Sequence, residues 1–111
     1  METKSEIIDD IIVFYFAGNL DTGTSPDAES AVNRELENQP MKMIFDLSKT
    51  EFVSSAGLRV FLATAKKLAA NGGVLKLCSA NNIVKDILEI SGFDTFLDVK
   101  DSLDKALKDF N

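Results

Sequence analysis

The run Met41 to Leu47 (MKMIFDL) sets the strongest limit on how this chain folds. Its apolar character predicts a strand buried on both faces, and such strands belong to mostly parallel sheets with helices packed over them. Helical patterns stand on either side of it. Upstream, Ser25-Pro26-Asp27-Ala28-Glu29 has Ser at the cap position, Pro in the first turn and acids near the positive end of the helix dipole, so a helix is predicted to about Glu37. Gln39-Pro40 then breaks the chain. Downstream, residues 54–70 follow the helical period: Leu58, Phe61, Leu62, Ala65, Leu68 and Ala69 fall on one side, the predicted core face, and Arg59, Val60, Ala63, Thr64, Lys66 and Lys67 on the other.

The rest of the chain continues the alternation. Residues 3–8 and 11–17 read as two strands joined by a tight turn at Asp9-Asp10. Asn71-Gly72-Gly73 ends the long helix, Val74 to Cys78 is a strand, and Asn81 to Ile90 is a helix closed by Ser91-Gly92. A last strand is predicted at Thr95 to Val99, then a helix opened by Asp101-Ser102-Leu103-Asp104 and running to Phe110. The order β-β-α-β-α-β-α-β-α defines an α/β fold, a mixed, mostly parallel sheet of about five strands with about four helices. At 111 residues this is one domain, 1–111.

Composition removes several function classes. The chain has no histidine, so Ser-His and Cys-His nucleophile pairs, a phosphohistidine relay and the ligand sets typical of zinc are excluded. A single cysteine, Cys78, forms no internal disulfide and is expected as a buried core residue. A formal charge of -6 repels nucleic acid and anionic lipid and favours partners with basic surfaces. The longest apolar run, Ile11 to Gly18, is far short of the roughly 20 residues of a membrane span and follows two acids, so the chain is expected in the cytoplasm, without membrane insertion.

In open α/β sheets the working site lies beyond the carboxyl ends of the strands. Two loops there stand out, Gly18 to Ser25 and Ser48 to Gly57, on what is expected to be one edge. The first holds Asp21-Thr22-Gly23-Thr24, which also reads like the catalytic loop of an aspartic protease. That chemistry needs two carboxylates about 3 Å apart sharing a proton. A helix rather than an all-β context follows the loop, no glycine-rich flap lies downstream, and the chain has no second Asp-Thr-Gly. A surface loop ending at a helix cap is the simpler reading.

The second loop resembles a known family. Phe45-Asp46-Leu47-Ser48, then Phe52-Val53-Ser54-Ser55-Ala56-Gly57-Leu58, is similar to the strand and helix opening of sulfate-transporter and anti-sigma-factor-antagonist (STAS) domains. Gly18-Asn19-Leu20-Asp21, Gly72-Gly73-Val74-Leu75-Lys76-Leu77 and Ile83 to Phe93 match the same family in order, so the resemblance covers nearly the whole chain. It implies a non-enzymatic regulator: an anti-sigma factor antagonist that binds an anti-sigma factor, itself a serine kinase, is released when phosphorylated on Ser55, and is reset by a serine phosphatase. The family often has Asp before the acceptor, where this chain has Ser54. No cofactor and no metal are called for.

The chemistry suits that assignment. Ser54 and Ser55 open a helix whose first N–H groups lack internal partners and whose dipole favours negative charge. Phosphate would add about -1.5 to -2 charges there and act at the surface. Ser54 reads either as a plain cap or as a second acceptor. Gly57, which costs a helix about 1 kcal/mol against Ala, either permits close packing within the domain or leaves room for another backbone or a nucleotide. Asp21 and Thr22 are assigned to partner binding, Asp21 alternatively to capping local N–H groups. Arg59, Val60, Ala63 and Lys67 form a candidate docking patch, or a solvated face. Two rival functions remain: a STAS subunit held constitutively in a larger assembly such as a transporter complex, and half of a dimeric protease.

Overall fold

The computed structural model describes residues 1–110. Five strands lie side by side in chain order: β1 (Glu2–Ile8), β2 (Ile11–Ala17), β3 (Lys42–Lys49), β4 (Val74–Cys78) and β5 (Asp98–Lys100). β1 runs antiparallel to β2 and every other neighbouring pair is parallel. The helices are α1 (Ser25–Leu36), α2 (Ser55–Ala70), α3 (Asn82–Ile90) and α4 (Leu103–Asp109). The predicted α/β order is therefore the observed one. None of these helices is long and apolar enough to cross a membrane.

Local chemistry explains the connections. Asp9 and Asp10 both adopt positive φ, which is what a two-residue turn needs to match the twist of its two strands. β3 is buried from Met43 to Leu47, with alternate side chains entering two different cores. Phe16 and Phe45 meet Phe61 of α2 in the larger core, where they pack edge to face on each other at 4.9 Å and Phe14 lies tilted against both. The smaller core joins Ile11, Val13, Ile44 and Cys78 to Ala106 of α4 on the opposite face. Burial pushes the Cys78 thiol up to about 12, so it is a packed, unreactive group.

Three boundaries and one face differ from the sequence reading. Ser25 is the first helical residue and Thr24 takes the N-cap position, a one-residue shift of the kind helix ends show. A 3-10 turn occupies Phe93–Thr95, so the last strand is shorter and later than Thr95 to Val99. The Leu97 N–H is held by the Phe93 carbonyl, and pairing with Lys76–Cys78 starts only at Asp98. β3 extends to Lys49 rather than Leu47. On α2 the buried residues are Gly57, Val60, Phe61, Thr64 and Leu68, while Ala69 is exposed. The buried stripe is rotated because α2 packs against α1 as well as the sheet.

Lys76 fastens α4 to the sheet. Only 6 % exposed, it donates to Asp98 at 2.7 Å and Asp109 at 2.6 Å, and its ammonium lies 4.9 Å from the centre of the Phe110 ring. Burial lowers its pKa, but the two carboxylate hydrogen bonds more than offset this and the net shift is upward. The Lys76 hydrogen bond leads the effects that hold Asp109 below its usual value. The raised lysine stabilises the fold at any pH below its unfolded value near 10.4, and that stability is lost as pH rises through the folded value. The depressed aspartate stabilises above about 3.9 and loses this as pH falls through the folded value. Protection of the α4 amides, taken as exchange relative to the intrinsic rate at each pH, should therefore be greatest between these limits. Lys76→Met should cost about 1–2 kcal/mol, because the freed carboxylates are exposed and rehydrate. Protection in α4 that is the same at every pH and unchanged by the substitution would refute this clamp.

Candidate functional site

Three loops at the carboxyl ends of β2, β3 and β4 are tied together, largely by backbone. Asp46 accepts from the Ser48 N–H at 2.9 Å where β3 shifts register against β2, so the bulge is held by its own side chain. Past it, the Gly18 N–H donates to the Lys49 carbonyl and the Thr50 hydroxyl to the Phe16 carbonyl at 3.0 Å. Gly18 sits at φ +106, which a side chain would strain. Leu20 and Val53 then form a parallel bridge. The Leu20 N–H donates to the Phe52 carbonyl at 2.9 Å and the Ser54 N–H to the Leu20 carbonyl at 2.8 Å, and both apolar side chains are buried. The two loops do face one edge.

The third loop joins through Asn81. Its Oδ1 accepts from the Val84 N–H, capping α3, while its Nδ2 donates to the Glu51 carbonyl at 3.2 Å. Asn81 thus holds the segment before Ser55 against α3. In the sequence it reads only as a helix start, and its second bond spans 30 residues, which no local pattern reveals.

Gly57 explains why the zipper closes. A methyl group at that position would lie 2.8 Å from the Leu20 Cβ, 2.8 Å from a Val53 methyl and 2.9 Å from the Leu20 carbonyl oxygen. Of the two sequence readings for this glycine, close packing within the domain is the one observed.

The frame leaves Ser55 exposed as the first residue of α2. Ser54 occupies the N-cap position with extended backbone, but its side chain makes no capping bond, and its hydroxyl is buried without a partner among the described residues. Asp21 turns inward to its own loop, accepting from the Gly23 and Thr24 N–H groups at 2.9 and 3.0 Å. That is the capping role, and Thr22 beside it is exposed.

The docking patch needs correction. Val60 is 3 % exposed and packs inside the domain, because α2 turns that side toward α1. Ala63 is half-buried, and Lys67 is exposed but donates to Asn33 of α1 at 2.8 Å. Arg59 remains as an exposed cation near Ser55, and Phe52, 43 % exposed in the loop before it, is an apolar neighbour that periodicity missed. Among the described residues no group of three His, Cys, Asp or Glu side chains is placed to hold a metal ion.

Comparison with known proteins agrees with this architecture. A STAS domain family model matches residues 2–106. The anti-sigma factor antagonist BtrV of Bordetella bronchiseptica is 29 % identical over 110 residues, 99 % of this chain and 95 % of that protein. The crystal structure of an anti-sigma factor antagonist from Mycobacterium paratuberculosis superposes with a TM-score of 0.89 at 28 % identity, covering 96 % of this chain and 91 % of the other. The Bacillus cell fate determinant SpoIIAA, solved in its phosphorylated form, shares the fold with a TM-score of 0.75 at 15 % identity, covering 99 % and 100 % of the two chains. With the match running through all five strands and the tied loops, the chain belongs to the STAS domain family.

Proposed function

We propose that this STAS protein is an anti-sigma factor antagonist that works in the cytoplasm by partner switching. Unphosphorylated, it binds an anti-sigma factor that is also a serine kinase and so frees a sigma factor. The kinase transfers the γ-phosphoryl group of ATP to the Ser55 Oγ: a P–O bond forms to the serine, the bond to ADP breaks, and the hydroxyl proton leaves to a base on the kinase. Release follows, and a serine phosphatase restores the hydroxyl by hydrolysis. The protein is a substrate in this cycle and catalyses nothing itself.

One observation carries the reading. Of the two adjacent serines, Ser55 presents its side chain to solvent at the positive end of α2, while the Ser54 hydroxyl is buried. A phosphate on Ser55 is favoured by that dipole and demands no unfolding. Its charge acts on a docked partner through repulsion and bulk. The names of the relatives supply the partner class, and SpoIIAA offers a phosphorylated example of the same fold.

Intact-mass measurement and phosphopeptide mapping of the protein from its own cells, beside Ser55→Ala, test this. A single phosphate on Ser55, absent from the variant, is the expected result. An unmodified protein across growth and stress conditions would instead favour a constitutive subunit of a larger assembly.

A further inference from the structure

One exposed cation of the candidate docking face, Arg59, stands a single helical turn beyond the proposed acceptor. Arg59 follows Ser55 by four residues on one helix, so the two side chains are neighbours on the same face. It is exposed, joins none of the ion pairs among the described residues, and no acidic residue stands in the turn of α2 that precedes it. It lines a recess of about 320 Å³ between α1 and α2 with Thr22, Ser25, Glu29 and Ala56, the residue next to Ser55. Ser25 there is 5 % exposed, and its hydroxyl has no partner among the described residues. Glu29 is the acid in the recess, and it does not come within ion-pairing distance of Arg59.

We propose that Arg59 receives the phosphate of Ser55 within the same molecule, at the mouth of the recess it shares with Thr22 and Ser25. The inference rests on the Ser55 reading and deepens it. A guanidinium fork matches two phosphate oxygens, and such charge-assisted pairs are among the stronger hydrogen bonds at a surface. Phosphorylation then changes the docking face twice: it adds a dianion, and it withdraws the cation that a partner's carboxylate would otherwise meet. A partner loses an attraction at the moment it gains a repulsion.

The test installs phosphoserine at position 55 during synthesis, so it depends on no kinase, and follows the phosphate by ³¹P NMR against pH. The second phosphate pKa, near 6 in a free phosphoserine, should lie about one unit lower with Arg59 than in Arg59→Gln, since an adjacent cation favours the dianion. Lys66→Gln, on the exposed part of the same helix, should leave the titration unchanged. Equal titrations with and without Arg59, or an equal shift from Lys66→Gln, would overturn the assignment. Inorganic phosphate added to the unmodified protein should give no saturable shift of the Arg59 side-chain N–H signals. Saturation would reassign the recess to a free phosphate ligand and overturn the internal pairing. A failure of Ser55 to be modified in cells would appear in the peptide map, not in these titrations.

Discussion

Gly57→Ala should unfold at a markedly lower temperature, although alanine is the better helix former by about 1 kcal/mol. The added methyl group meets the Leu20 side chain and carbonyl and a Val53 methyl at 2.8–2.9 Å, closer than carbon atoms normally approach. The Leu20 carbonyl has little freedom to retreat, because it accepts the Ser54 N–H that opens α2. Overpacking of this sort costs about 1–3 kcal/mol. For a chain of this size each kcal/mol moves the midpoint by roughly 4–8 °C, so the net fall is expected to be several degrees. The damage should also be local: exchange at the Leu20 and Ser54 amides should quicken more than exchange in β4. A midpoint equal to or above that of the parent protein would mean that the two loops are not packed on Gly57 as described.

The second large effect concerns binding rather than stability. Ser55→Asp places a carboxylate on the first residue of α2, where the dipole favours it, so the fold should be unharmed or stabilised by a few tenths of a kcal/mol. On the proposed function, affinity for the anti-sigma factor should nevertheless drop at least tenfold, the equivalent of about 1.4 kcal/mol, because a charge would stand on the proposed docking face. Ser55→Asn separates charge from bulk and should bind more tightly than the aspartate variant. Isothermal titration of the three proteins against the purified partner decides the matter. If Asp and Ser bind alike, surface charge at this position does not govern the exchange of partners.

How legible the molecule is from its sequence depends on the range of the interaction involved. The Asp9-Asp10 turn, the buried β3 strand and the start of α3 at Asn81 are set by neighbours along the chain, and pattern reading finds them. The face of α2 is different. Its 100° periodicity is compatible with burying either Val60 or Ala69, and the contact with α1 selects Val60. The short β5 was displaced for a similar reason, since Gly92 at φ +79 leads into a 3-10 turn that consumes residues expected in the strand. At the site, the two loops were visible, but their tie through Leu20 and Val53 and the Asn81 bridge were not, because each joins residues some thirty apart. Gly57 shows both sides: the sequence marks it as unusual, and only the packing says why.

The ties between the loops are made mostly by main-chain groups and by side chains turned inward, so the outward side chains around Ser55 carry little of the burden of holding the site in shape. Thr22, Phe52 and Arg59 can change while Ser55 keeps its place. A cell that holds several proteins of this design can therefore insulate parallel pathways from cross-talk by altering a few surface residues, with discrimination built from mismatched charge and shape and no cost to the common scaffold.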